Sequence, residues 1–358
     1  MLIKKIFTPG PTQVHPEVLK AAISSFSYHR SSEFKEFHGE LISKLKQIFL
    51  TKQNLHILTT SGTGAMETAV INFCMPGENV LFLNQGRFGE RWGSICKTYG
   101  LNTDEITVDY GYAVDTDKLK ETDISKYSAI FLTHSETSTA TLTDIKSLAK
   151  YIRKNSNALV IVDAITSVCS IEFRMDEWEI DVAVSASQKG FMTQPGLAVI
   201  AYNSRACGKM LKNYMPRYYF DLRKEYESLK DNLTTWTPAV SLFYAIDKAS
   251  DIILKQGLEN RWSETHQMAE YFRTNCVNSG LELLSRSPAD SLTAVIFPGN
   301  IQTGKLITEL KEKYGIQVAN GQSDLKDKIV RVSHMGDLNL ADIKELTGII
   351  IEEYRLLK

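Results

Sequence analysis

Five short runs without a polar residue punctuate the first part of the chain: 80–83 (Val-Leu-Phe-Leu), 129–132 (Ala-Ile-Phe-Leu), 159–162 (Leu-Val-Ile-Val), 182–184 (Val-Ala-Val) and 197–200 (Leu-Ala-Val-Ile), with helix-like stretches before or between most of them. A strand that is apolar at every position is buried on both faces, and a sheet is covered on both faces when helices cross over between parallel strands. The chain is therefore expected to be α/β, with a mostly parallel sheet between two helical layers. Ligands on such sheets sit outside the carboxyl ends of the strands. The turns that begin at Thr133 and Asp163 fall there.

The texture changes near 232–238, after the charged segment 221–225. A helical pattern then runs over 240–278. Beyond it, strand-like 293–297 and 329–332 flank a helical stretch over 304–314, which reads as a small α/β domain that the N-terminal segment joins. The expected division is an N-terminal segment over 1–20 packed with the small domain, a large domain over 21–240, and a connecting helix with the small domain over 241–358. A chain of 358 residues with 43% apolar and 23% charged residues can bury a large core and a smaller one.

Charge narrows the partners. A formal net charge of −1 gives no electrostatic reason to expect nucleic acid or an anionic membrane surface. Cys74, Cys96, Cys169, Cys207 and Cys276 are far apart, form no Cys-x-x-Cys pair and lack metal-site spacing. An odd cysteine count without a signal segment is the pattern of reduced thiols in a cytoplasm. The apolar start over 1–7 is too short for a signal and no run approaches the length of a membrane span, so a cytoplasmic protein is expected.

Asp163 ends the apolar run 158–162, and Lys189 lies in Ser187-Gln188-Lys189-Gly190 beyond the next strand-like run. A carboxylate at one strand end and an amine after another can bracket a pyridine ring, the carboxylate facing the ring nitrogen and the amine holding an aldehyde as a Schiff base. Each residue also has an ordinary reading, the lysine as a solvated surface charge and the aspartate as a turn or N-cap residue. A third feature weighs against the ordinary readings. Residues 59–69 (Thr-Thr-Ser-Gly-Thr-Gly-Ala-Met-Glu-Thr-Ala) join the apolar run 55–58 to a helix-like stretch over 66–73. Glycines let backbone amides approach an anion, and the following helix adds the positive end of its dipole, so such a turn suits phosphate. It is not a Walker loop, and no Gly-x-Gly-x-x-Gly occurs in the chain. A phosphate turn, a ring-nitrogen carboxylate and a Schiff-base lysine, in that order, point to pyridoxal 5′-phosphate (PLP).

Further segments widen this into a resemblance: 8–12 (Thr-Pro-Gly-Pro-Thr), 61–65 (Ser-Gly-Thr-Gly-Ala), 84–89 (Asn-Gln-Gly-Arg-Phe-Gly), 133–139 (Thr-His-Ser-Glu-Thr-Ser-Thr), 162–164 (Val-Asp-Ala), 185–189 (Ser-Ala-Ser-Gln-Lys) and 331–336 (Arg-Val-Ser-His-Met-Gly). With these in order along nearly its whole length, the chain resembles the class V, fold-type I PLP enzymes, and among them the alanine–glyoxylate and serine–pyruvate aminotransferases. The resemblance implies a large domain with a mostly parallel seven-stranded sheet, a small C-terminal α/β domain and a homodimer with shared active sites. It also implies transamination between a small amino acid, alanine or serine, and a 2-oxo acid, glyoxylate or pyruvate.

Residue roles follow from the same resemblance. Asp163 keeps the ring nitrogen protonated, and Lys189, once released by substrate, carries a proton between the α-carbon and the cofactor. Phe88 stacks on the ring and Thr137 reaches its phenolic oxygen. The phosphate lies on the amides of Thr63, Gly64 and Ala65, with the Thr63 hydroxyl and the Gln188 amide as further donors. Arg331 is the bidentate clamp for the substrate α-carboxylate, and Gly10 lies beside the substrate. Without the family, Phe88 reads as a core side chain, Thr137 as capping and Arg331 as an arginine paired on a sheet edge. A neighbouring subunit is expected to add a hydroxyl from 233–238 (Leu-Thr-Thr-Trp-Thr-Pro), where the relatives' tyrosine is absent and Thr235 and Thr237 are the candidates. His29-Arg30 either lines the site or lies on the surface.

Other activities on the same fold make different demands. A cysteine desulfurase or lyase would need a nucleophilic cysteine just before Arg331, and 320–330 has none. A 2-aminoethylphosphonate transaminase would call for extra cations in the pocket, which the sequence does not decide. A relative serving only to bind would have lost Lys189 or Asp163.

Overall fold

Seven strands build the main sheet of the computed structural model, which describes residues 3–24, 27–299 and 301–357. Met1 and Leu2, at the start of the expected N-terminal segment, and Lys358, at the end of the expected small domain, lie outside the described residues. The strands are β1 (Asn54–Leu58), β2 (Asn79–Asn84), β3 (Asn102–Thr107), β4 (Ala129–Thr133), β5 (Leu159–Asp163), β6 (Val182–Ala186) and β7 (Ala198–Tyr202), in the spatial order β1-β7-β6-β5-β4-β2-β3. Only β7 runs antiparallel to its neighbours; the other pairings are parallel.

Successive side chains on a strand face opposite ways, and both ways lead into a core. Val160 and Val162 of β5 join Leu81, Leu83, Ile130 and Leu132 on one side of the sheet. Leu159 and Ile161 join Val80, Phe82, Ala129 and Phe131 on the other. Double burial explains why these strands read as unbroken apolar runs. The edge strand β3 escapes that criterion, because of its Asn-Thr-Asp-Glu-Ile-Thr only Ile106 is buried.

Helices α1 (Gly62–Phe73), α2 (Arg87–Thr98) and α3 (Ile145–Asn155) belong to the covering layers. α1 begins at Gly62 rather than near Met66, because the Ser61 side chain caps it by accepting the Gly64 N–H. The single helix expected over 240–278 is two, α4 (Val240–Gln256) and α5 (Leu258–Asn278), broken at Gly257 with φ 83°. That left-handed angle costs glycine nothing and ends a helix, while an apolar pattern continues across it unchanged.

Strands β8 (Glu282–Leu283), β9 (Leu292–Ile296), β10 (Ala319–Asn320) and β11 (Ile329–Ser333) form a second, antiparallel sheet in the order β8-β9-β11-β10. The stretch expected over 304–314 is a helix, Thr303–Glu309, that ends in a π turn, Leu310–Tyr314. Lys5–Ile6 pairs in parallel with Ile316–Gln317, and Phe7 enters a core with Phe272, Val295, Val330 and Ile343. Among the described residues no helix is long and apolar enough to cross a membrane.

Candidate active site

Strands β1, β2, β4, β5 and β6 end on one edge of the main sheet, and the turns leaving them carry 61–65, 86–89, 134–139, Asp163 and 187–189. Parallel order thus gathers segments that lie far apart in sequence.

Asp163 is the last residue of β5 and only 4% exposed. Its Oδ1 accepts the Ile165 N–H at 2.9 Å, and no cation stands within ion-pairing distance among the described residues. Burial pushes its pKa up to about 7; the Ile165 N–H opposes this, the nearby Glu136 adds to it, and Arg91 and Lys189 pull the other way. Lys189 Nζ donates to Pro9 O at 2.7 Å. Burial brings its pKa down to about 8, with Asp163 opposing and Arg331 and Arg91 adding to the fall.

The turn that carries Lys189 is fixed from two sides. Ser187 Oγ donates to Gln194 O at 2.6 Å and accepts the Leu197 N–H at 3.2 Å. The N-terminal segment crosses over it, with Thr12 N–H on Gln188 O at 3.1 Å and Thr12 Oγ1 on Lys189 O at 2.9 Å. Gly10 lies against the amine: a Cβ there would stand 2.2 Å from Nζ, so a larger residue would push the lysine side chain from this position.

At the start of α1, Ala65 N–H donates to Ser61 O at 3.1 Å and Gly64 N–H to Ser61 Oγ at 3.4 Å. The Ala65 amide is therefore committed to the helix, which leaves the Thr63 N–H and hydroxyl as the readiest anion donors, with Gly64 available by giving up a long capping bond. The Thr63 hydroxyl accepts from Arg91 Nη1 at 3.0 Å. The amide oxygen of Gln188 is buried and has no partner among the described residues.

Arg331 sits in the middle of β11, 6% exposed. Its Nε donates to Asn320 O at 2.9 Å and its Nη1 to Thr137 O at 2.8 Å. Burial lowers its pKa to about 10, Glu136 opposing and Arg87 adding to the drop. No carboxylate pairs with it among the described residues, so the remaining guanidinium donors are left for an anion. The Thr137 carbonyl thus helps to orient the arginine.

Sequence reasoning missed Glu136. It is fully buried, and its Oε2 accepts Phe88 N–H at 2.9 Å and Gly89 N–H at 3.2 Å, while Oε1 accepts Ser138 N–H at 3.0 Å and Ser138 Oγ at 2.6 Å. Burial raises its pKa against those four donors. It ties the turn that carries Phe88 to the strand end that carries Thr137. A signal was present: an isolated glutamate inside a run of small hydroxyl residues with no lysine or arginine beside it. Arg91 was missed too, although it lies one helical turn beyond Phe88, and its guanidinium sits 4.6 Å from the Phe88 ring centre.

The 233–238 loop docks elsewhere within the chain. Thr235 Oγ1 is 3.2 Å from Ser228 Oγ, Thr237 Oγ1 is 3.5 Å from His29 Nε2, and Ala239 N–H donates to Thr59 Oγ1 at 3.2 Å. Arg30 donates to Thr234 O and Thr235 O, both at 3.2 Å, so His29-Arg30 supports this loop rather than the Lys189 turn. Among the described residues no group of three or more His, Cys, Asp or Glu side chains is placed to hold a metal ion.

Known proteins resemble this chain over nearly all of its length. Residues 6–346 match the family described as Aminotransferase class-V. The chain is similar to the soluble hydrogenase 42 kDa subunit of Anabaena cylindrica, 34% identical over 344 residues, 94% of this chain and 90% of that protein. It is 31% identical over 357 residues, 97% of this chain and 90% of the other, to an L-aspartate–glyoxylate aminotransferase of Paracoccus denitrificans. Among solved structures, an aspartate aminotransferase of subgroup IV from Thermus thermophilus aligns with a TM-score of 0.93 at 30% identity, covering 99% of this chain and 100% of that one.

Proposed function

Because the chain belongs to the class V aminotransferases and has their fold-type I architecture, we propose that it binds PLP at Lys189 and moves the amino group of a small amino acid, alanine or serine, to glyoxylate or pyruvate. The observation that carries this reading is the pair formed by Asp163, a buried carboxylate without a counter-ion, and Lys189, an amine whose pKa burial brings down to about 8. A buried charge without a partner is costly, and a cationic ring N–H is the partner this carboxylate lacks. The Gly10 cradle around Nζ suits the same ligand.

When bound, PLP supplies an aldehyde for the amino group and a ring that accepts the electron pair released at the substrate α-carbon. The protein's part is to hold and to move protons. Lys189 Nζ is the base that takes the α-proton and returns it, and a pKa near 8 leaves a useful neutral fraction near neutrality. Asp163 holds the proton on the ring nitrogen, and Arg331 receives the α-carboxylate of amino and oxo acid alike, already oriented by Asn320 O and Thr137 O. Phe88, whose backbone N–H is held by Glu136, would stack on the ring.

The same reading calls for a homodimer, in which Thr235 and Thr237, bonded here within their own chain to Ser228 and His29, would serve the site of a second copy. The odd number and wide spacing of the cysteines support a reducing, cytoplasmic setting. Alanine, serine and aspartate, added singly to the PLP-loaded protein, test the donor. The expected donor abolishes the aldehyde absorbance and glyoxylate or pyruvate restores it; a protein in which no amino acid does so is not a transaminase of this kind.

A further inference from the structure

Arg91 is a partly buried cation with no carboxylate within ion-pairing distance among the described residues. It donates to the Thr63 hydroxyl at 3.0 Å, at the opening turn of α1, and its guanidinium lies 4.6 Å from the centre of the Phe88 ring. Burial lowers its pKa, with Asp163 and Glu136 opposing and Arg87 contributing to the fall. A half-buried guanidinium without a carboxylate partner keeps donors free for an anion. The direction of the bond to Thr63 matters: since the hydroxyl oxygen accepts from Arg91, its own proton is left to donate. Arg91 and Thr63 therefore present donors side by side, next to the Thr63 N–H at the positive end of the helix.

We propose that Arg91 is the counter-charge of the cofactor phosphate, binding it together with the hydroxyl and amide of Thr63. The assignment rests on the PLP reading above. It gives α2 two tasks from one face, since Phe88 and Arg91 are one turn apart: the first meets the ring and the second the phosphate. A dianion held by hydroxyls and amides alone would lack a formal positive partner, and a guanidinium supplies both charge and a planar fork.

Binding of PLP and of pyridoxal, which lacks the phosphate, to the cofactor-free protein separates this role from others. Both are followed by absorbance titration in the wild type, Arg91→Gln and Arg91→Lys. The expected result is a Kd for PLP raised about tenfold or more in Arg91→Gln and less in Arg91→Lys, with the Kd for pyridoxal changed less than about twofold. Unchanged pyridoxal binding also reports a folded site. PLP binding that is unaffected, or pyridoxal binding that falls as far as PLP binding, overturns the assignment. A wild type that binds neither compound overturns the PLP reading itself, a different outcome from either of these.

Discussion

Replacing Asp163 by asparagine should stabilise the cofactor-free protein and disable the loaded one. The carboxylate is 4% exposed, receives one N–H and has no counter-ion, and burial raises its pKa from 3.8 to about 7. A group whose folded pKa lies above its unfolded value favours the folded state at low pH and loses that contribution as pH rises through the folded pKa. Each pH unit between the two values costs about 1.4 kcal/mol, so from pH 5 to pH 7 the wild type should lose roughly 2–3 kcal/mol from this group alone. Asparagine does not titrate. The stability of Asp163→Asn relative to wild type, measured by urea unfolding of the cofactor-free proteins, should therefore improve by that amount over the same interval and level off above pH 7. In the PLP-loaded protein the carboxylate has its cationic partner, and the variant should keep the cofactor yet turn over slower by orders of magnitude. A stability difference that does not change with pH, or near-normal turnover in the variant, would refute the pairing.

Arg331→Lys keeps the charge and loses the fork, so kcat/KM should fall about tenfold or more for alanine and glyoxylate alike and much less for an amine without a carboxylate. An equal loss for both kinds of amine would make Arg331 structural and turn the search for the clamp to Arg30. Sedimentation should show a dimer, with an interface on the order of 2,000 Å² or more. An active monomer would remove the role given to Thr235 and Thr237.

The parts of the fold that could be read in the sequence are those where burial is uniform. Strands β2, β4, β5 and β6 are wrapped on both faces, so each spells itself as an apolar run. β3, with one buried side chain, carries no such mark, and nothing in the run at 197–200 tells that β7 points the opposite way. The break at Gly257 turns on one backbone angle inside a continuous apolar pattern. The candidate site divides in the same manner. Asp163 and Lys189 were legible as candidates because the chemistry proposed for them calls for a fixed residue type after a strand. The duties of Glu136 and Arg91 are set by partners distant in sequence, Phe88 and Gly89 for the one and Thr63 for the other. The commitment of the Ala65 amide to α1 depends on Ser61 acting as a cap, which moved the helix start into the turn read as a loop.

The most direct test of the proposed chemistry is borohydride reduction of the PLP-loaded protein followed by peptide mapping. The reduced cofactor should be found on the peptide containing Lys189 and on no other lysine. A modified lysine elsewhere, or a protein that takes up no PLP, would contradict the assignment of Lys189 and the roles built around it.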